Sequence, residues 1–281
     1  MIPIDLNLVR DVLQAAVKED IGTGDVTSRA TIPESAIAVA RFTTKQALVV
    51  SGLPVIAELI RLVDANLKFK NLSADGDSVE TGTAIAEMCG SARSILAAER
   101  VTLNLLQRMC GIATMTRLVV DRVRGTKAVV IDTRKTVPGL RLLDKYAVAC
   151  GGGSNHRMGL FDAVLIKNNH LAFHSSLSET IAEARRNLGT SAKLEVEVAS
   201  LRQLAEAIDA GADVILLDNF TPEETRKAVA QCGGRIPLES SGGITLENIH
   251  EYAEAGVDRI SVGALTHSVV AADIHLRVTP S

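Results

Sequence analysis

From Lys127 onward the chain repeats one pattern, a short β-branched run followed by a helical stretch. The runs "AVVIDT", "AVLIK", "KLEVEV", "ADVILLDN", "IPLESSG" and "DRISVGA" alternate with "SLSETIAEARRNLG", "SLRQLAEAIDAG", "TPEETRKAVAQCGG" and "TLENIHEYAEAG". Strands joined through helices lie parallel, and a parallel sheet is covered on both faces, so the bodies of its strands must be apolar throughout, as they are here. Gly211 and Gly256, each closing a helix before the next strand, suit helix C-terminal turns. Polar residues gather at the carboxyl ends of the runs: Asp132, Lys167, Glu197, Asp218 and Ser241. In a parallel barrel those ends form the functional rim, where these residues would converge. An open doubly wound sheet is the alternative, but no G-x-G-x-x-G follows a first strand. The pattern favours a (β/α) barrel.

The first hundred residues read differently. A helix near Leu6 to Lys18, alternating segments such as "ARFTTKQALVVSG", a helix from Pro54 to Ala65 and the turn-rich "ADGDSVETGTAIAEM" predict a small α+β domain. The stretch "SARSILAAERVTLNLLQRMCGIATMTRLVVDRVRG" then keeps helical spacing for about nine turns, with Gly111 as a potential break.

Composition narrows the class. Hydrophobic residues make up 47% and charged residues 22% of the 281, and the charges are dispersed, which argues against extensive disorder. With a net charge of −3, no Trp and 2% aromatics, the chain offers little for base stacking or a basic nucleic-acid surface. The opening "MIPIDLNLVRDVLQAAVKED" contains acids and no long apolar run, so neither a secretory signal nor a membrane span is expected, and the default location is the cytoplasm. Cys89, Cys110, Cys150 and Cys232 form no C-x-x-C pair and read as buried free thiols.

Against this background the stretch "DTRKTVPGLRLLDKYAVACGGGSNHR" stands out. From Arg134 to Lys167 there are six Lys or Arg (134, 135, 141, 145, 157, 167) and only two acids, Asp144 and Asp162. Cations gathered into a concave rim repel one another unless an anion neutralises them, so the segment predicts an anion site. Arg141 and Lys145, four apart on a predicted helix, fit a solvated helix face equally well. Arg134, Lys135, His156 and Arg157 lie in Gly- or Pro-containing loops, where binding residues are commonly mounted. Lys167 closes "FDAVLIK" and reads as an anion ligand, with a Schiff-base lysine as the alternative. Glu197 and Asp218 end the next strands. A carboxylate pair without clustered His or Cys suits a hydrated Mg²⁺, with ion pairing to the basic cluster as the alternative. The loops "ESSGGIT", read as leading directly into a helix, and "SVGALTHS" place Gly and Ser after strands, where backbone N–H groups can hold a phosphate.

Taken together, "ERVTLN", "DTRKTVPGLRLLDKYAV", "CGGGSNHRMGLFDAVLIKNNH", "EVEV", "LLDN", "SSGGIT" and "SVGALTHS" resemble the quinolinate phosphoribosyltransferase family, the type II phosphoribosyltransferase fold, in order and over nearly the whole chain. The resemblance implies an α/β chain with an N-terminal α/β sandwich domain (1–111), an incomplete (β/α) barrel (112–268) and a tail (269–281) that returns to the first domain. It implies transfer of phosphoribose from 5-phosphoribosyl 1-pyrophosphate to quinolinate, giving nicotinate mononucleotide, pyrophosphate and CO₂, with Mg²⁺, in a homodimer. Residue by residue it carries dicarboxylate binding to Arg134, His156, Arg157 and Lys167, with Arg100 supplied by the partner subunit. Lys135, Glu197 and Asp218 match positions for the sugar donor and its metal, held directly, through water or through substrate phosphate. Lys135, Lys167, Glu197 and Asp218 are the catalytic candidates. Ser241, Gly242, Gly243 and Gly263 match the 5-phosphate cradle. Ala149 departs from a longer residue in many relatives and touches none of these assignments. Rival readings are a related type II enzyme acting on nicotinate or another pyridine-like acid, an aldolase using Lys167, and a non-catalytic anion-binding barrel.

Overall fold

The computed structural model describes residues 4–188 and 193–281. Its helices are α1 (Arg10–Ile21), α2 (Val26–Thr31), α3 (Leu53–Val63), α4 (Ala92–Arg122), α5 (Arg141–Cys150), α6 (Asn168–Leu171), α7 (Leu177–Leu188), α8 (Leu201–Asp209), α9 (Pro222–Cys232), α10 (Ile249–Glu254) and α11 (Ala264–His267). Its strands are β1 (Ile37–Thr44), β2 (Leu48–Val49), β3 (Lys68–Asn71), β4 (Ser78–Val79), β5 (Ala84–Ser91), β6 (Val129–Ile131), β7 (Val164–Ile166), β8 (Leu194–Val198), β9 (Val214–Asp218), β10 (Leu238–Ser241), β11 (Arg259–Ser261) and β12 (Ile274–Pro280). They form two compact units, one of residues 1–117, 136–152 and 265–281, the other of 118–135 and 153–264.

The first unit is built on an antiparallel sheet in the order β12-β1-β5-β3. In β1 the side chains of Ala38, Ala40, Phe42 and Thr44 are buried while Arg41 on the opposite face is exposed, the period-2 pattern of a sheet packed on one side. The C-terminal strand β12 adds to the edge of β1, in register from Ala38 opposite Pro280 to Thr44 opposite Ile274. Helix α4 runs unbroken through Gly111 for 31 residues. The glycine serves close approach instead of a break: a Cβ there would collide with the Val270 carbonyl oxygen and lie 3.1 Å from its carbon. The basic residues of α5 are not a solvated face. Lys145 is buried, and Arg141 donates from Nε to Thr136 Oγ1 at 3.0 Å. Cys110 and Cys150 are buried free thiols, pushed up to about 12 and about 11 by desolvation, and are therefore inert.

The second unit holds six strands, all parallel, in the order β6-β11-β10-β9-β8-β7. The first strand of this set, β6, pairs with the last, β11, as in a barrel, but β6 and β7 do not pair, so the cylinder is left open along one seam. At the seam the free edge of β6 is satisfied by Ser154, whose N–H donates to the Val130 carbonyl at 2.9 Å and whose carbonyl accepts the Asp132 N–H at 3.1 Å. The loop that carries His156 and Arg157 is thereby fixed beside the carboxyl ends of the strands. No helix among the described residues is long and apolar enough to cross a membrane.

Within the first unit, Asp144 is fully buried and held by Arg108 in a two-bond fork, Nε to Oδ1 and Nη2 to Oδ2, both 2.8 Å. Removing the fork leaves a buried carboxylate without its counterion. Arg108→Met is expected to lower unfolding free energy by about 3–5 kcal/mol, measured by urea denaturation at pH 7.

Candidate active site

A cavity of ≈ 530 Å³ opens at the carboxyl ends of the parallel strands. Arg134 and Lys135 reach it from the loop after β6, His156 and Arg157 from the seam loop, Lys167 from the end of β7, Glu197 from β8, Asp218 from β9, and Ser241, Gly242 and Gly243 from the end of β10. These are residues from six chain segments separated by up to 109 positions in sequence, and only the parallel register brings them together. Gly263 and Arg100 do not line this cavity. Gly263 joins β11 to α11, and Arg100 is exposed on α4.

The cations of the rim are unevenly neutralised. Lys167 Nζ sits 2.7 Å from Glu197 Oε2. The pair holds the Lys167 head at the rim beside the end of β8, a placement that suits an anion ligand. Arg157 donates from Nη1 to the Ala163 carbonyl at 2.9 Å, while its buried Nε finds no acceptor among the described residues. Burial, and then the like charge of Arg134, pulls the Arg157 guanidinium below its ordinary value. The Glu195 and Asp162 charges oppose that pull, and two guanidiniums side by side in a concave site suit an anionic ligand.

The opposite tension exists on the neighbouring strands. Desolvation, and then the charge of Glu197, raises the Asp218 carboxyl above the usual aspartate range, with Lys167 and Lys135 opposing. A carboxyl raised in part by a carboxylate neighbour belongs to a donor set that a hard divalent cation would relieve. The loop after β10 turns through Gly242 (φ 96) and Gly243 (φ 59), and the Asn248 side chain ties it by accepting the Thr245 N–H at 2.8 Å and donating to the Gly243 carbonyl at 3.0 Å. Helix α10 begins only at Ile249, so the two glycines form a loop of their own and do not open a helix.

Beneath the rim lies a layer the sequence reading did not single out. Glu195 and Glu239 point inward from β8 and β10 and are both buried; His156 Nε2 lies 3.2 Å from Glu195 Oε2 and 3.8 Å from Glu239 Oε1. His156 Nδ1 accepts the Arg157 backbone N–H at 2.7 Å, and its own backbone N–H donates to Asp132 Oδ1 at 2.8 Å. With Nδ1 accepting, Nε2 carries the proton and faces the carboxylates. That tautomer cannot ligate a metal through Nε2, although the three residues have the types for it and their ligand atoms lie within 4.8 Å of one another. His156 lines the cavity but commits both ring nitrogens to the protein, which sets it apart from the free cation its sequence context implied. Burial and then the Glu195 charge push Glu239 up to about 7. The signal that could have exposed this layer is "LEVEV" and "PLESS": a Glu two residues before a rim position shares that position's inward face.

The chain matches two family models, the quinolinate phosphoribosyl transferase N-terminal domain over residues 25–110 and the C-terminal domain over residues 112–277. The chain belongs to the quinolinate phosphoribosyltransferase family. Among curated relatives of the family, the probable nicotinate-nucleotide pyrophosphorylase (carboxylating) of Bacillus subtilis is 45% identical over 263 residues, covering 94% of this chain and 91% of that protein. The nicotinate-nucleotide pyrophosphorylase (carboxylating) of Mycobacterium leprae is 42% identical over 278 residues, covering 97% and 98%. Among solved structures, NadC from Streptococcus pyogenes superposes with a TM-score of 0.96 at 38% identity over 100% of both chains. The nicotinate-nucleotide pyrophosphorylase of Francisella tularensis gives 0.93 at 39% identity over 99% and 98%. The open six-stranded barrel and the separate antiparallel sheet described above are thus the family architecture.

Glu239 also links the site to stability. Its folded-state value of about 7 lies above the ordinary 4.5, so the folded protein holds this proton more tightly than the unfolded chain, and the advantage is lost as pH rises through about 7. Glu239→Gln removes the titration. The difference in Tm between variant and parent is expected to shift in favour of the variant from pH 5 to pH 8, as followed by circular dichroism melts.

Proposed function

We propose that the chain catalyses transfer of phosphoribose from 5-phosphoribosyl 1-pyrophosphate to the ring nitrogen of quinolinate with loss of CO₂, yielding nicotinate mononucleotide and pyrophosphate for NAD biosynthesis. The observation that carries this reading, beside family membership, is the meeting of Arg134, Arg157 and Lys167 with Glu197 and Asp218 around one cavity. Quinolinate has two carboxylates and the sugar donor several more negative charges, so both fit one pocket only where positive charge offsets their repulsion.

Arg134, Arg157 and Lys167 serve the two carboxylates, the guanidiniums through paired N–H donors, and orient the ring nitrogen toward the anomeric carbon. Lys135 reaches the pyrophosphate, while Ser241, Gly242 and Gly243 cradle the 5-phosphate from the cavity lining and Gly263 completes the cradle from the turn after β11. Glu197 and Asp218 are the residues that would hold Mg²⁺, whose charge would stabilise the departing pyrophosphate. The nitrogen lone pair forms the new bond as the bond from the anomeric carbon to pyrophosphate breaks, and an inward carboxylate favours the positive charge that grows on the ribose. The ring nitrogen is then cationic. When the adjacent carboxylate leaves as CO₂, the electron pair remains on the ring carbon beside that cation and takes a proton from water. Decarboxylation therefore follows transfer.

Pyrophosphate release measured with quinolinate, nicotinate and nicotinamide in turn, each with the sugar donor and Mg²⁺, tests the assignment. Quinolinate is expected to be strongly preferred and EDTA to abolish turnover. Comparable use of nicotinate would favour the related type II reading, because a monocarboxylate needs fewer cations.

The same reading places the chain in the cytoplasm as a homodimer in which Arg100 of one subunit completes the site of the other. Arg100→Ala and Arg134→Ala are each expected to be nearly inactive alone. Remixed subunits should recover roughly a quarter of the parent activity, since about half the dimers are mixed and each holds one intact site. Confirmed mixed dimers without recovery would place Arg100 outside the partner's site.

A further inference from the structure

Asn219, directly after Asp218, has φ 57 and among the described residues is the one non-glycine with positive φ. L side chains avoid this region because Cβ crowds the backbone, although Asn tolerates it better than most. Its backbone N–H donates to the Ser241 carbonyl at 2.8 Å and so ties the end of β9 to the end of β10. Its carboxamide works in two directions. On one side it favours the charged form of the neighbouring Asp218 carboxyl, opposing the burial that raises it. On the other its oxygen rests against Gly242, where a Cβ would collide with that oxygen and lie 2.7 Å from the Asn219 Cγ. Asp218, Asn219 and Gly242 all line the same cavity. Gly242 is thus small because Asn219 occupies its side-chain space, and Asn219 is left-handed because that conformation aims its carboxamide there.

We infer that Asn219 is a positioning residue for the sugar donor, a wedge that fixes the spacing between the Asp218 carboxylate and the Gly242-Gly243 loop. The inference rests on the phosphoribosyl-transfer reading. The donor carries a phosphate at one end of its ribose and pyrophosphate at the other, so its own covalent length dictates how far apart the two subsites must stand. A rigid side chain between them holds that distance before the donor arrives. The residues assigned to quinolinate project from the loop after β6, the seam loop and β7, whereas Asn219 stands between the ends of β9 and β10.

The test separates wedge from turn. Asn219→Gly accepts φ 57 more readily than Asn does, so the turn survives while the carboxamide is lost. Donor binding is read by calorimetry and both substrates by steady-state kinetics. The expected result is a fall in kcat/KM for the donor on the order of 10²-fold, with quinolinate KM within about twofold of the parent and an unchanged melting temperature. Asn219→Ala, which removes the carboxamide while keeping a Cβ, should show the same donor-side loss and carries the test if the glycine variant does not fold. Parent-like donor kinetics in both variants would reduce Asn219 to a turn residue and overturn the inference, as would equal losses for the two substrates. Failure of the unmodified chain to turn over quinolinate with the donor would instead overturn the reaction reading, and this inference with it.

Discussion

Like charge gathered in a concave, partly dry space is the constraint on which the site depends. Arg134 and Arg157 repel across one side of the cavity while Glu197 and Asp218 repel across the other. The ion pair of Lys167 with Glu197 joins the two halves. Each half is relieved by what it is proposed to bind, anionic carboxylates for the guanidiniums and a cation with its phosphates for the acids.

The layer below keeps that tension within bounds. Glu195 lies two residues before Glu197 on β8, and Glu239 two before Ser241 on β10, so strand geometry sets both carboxyls under the rim and facing inward. His156 bridges to them through Nε2 while its Nδ1 accepts the Arg157 N–H, which fixes the Arg157 backbone relative to the floor of the cavity. Glu239 retains its proton to about pH 7, so the floor carries less negative charge than a count of its carboxyls suggests. The open seam between β6 and β7 makes this layout feasible: Ser154 satisfies the edge of β6, and the loop that follows brings His156 and Arg157 in where a closed barrel would have a continuous wall.

Much of this was legible in the chain before any coordinates. The repeated βα pattern identified a parallel sheet, and the polar residues closing each apolar run marked Lys167, Glu197, Asp218 and Ser241 as neighbours, because strand ends in such a sheet share one side. The excess of cations from Arg134 to Arg157 was visible as composition. Other features misled. Gly111 read as a helix break, yet its missing side chain answers to the Val270 backbone, a partner 159 positions away. Lys145 read equally well as a solvated helix residue, and packing buried it. His156 was grouped with the neighbouring cations and does line the cavity, but the acids it faces come from strands 39 and 83 residues downstream and were not legible beside it.

By itself, then, the sequence determined the alternation of strands and helices, the apolar bodies and polar ends of the strands, and the local crowding of positive charge. These follow from periodicity and composition, which act over a few residues. Tertiary structure alone decided which acids lie under which cations, where the barrel stays open, and that Asn219 adopts a left-handed turn against Gly242. Those outcomes depend on the register between distant strands and on the space one side chain leaves for another. Neither quantity is encoded in any single segment, so both come into being only when the strands align.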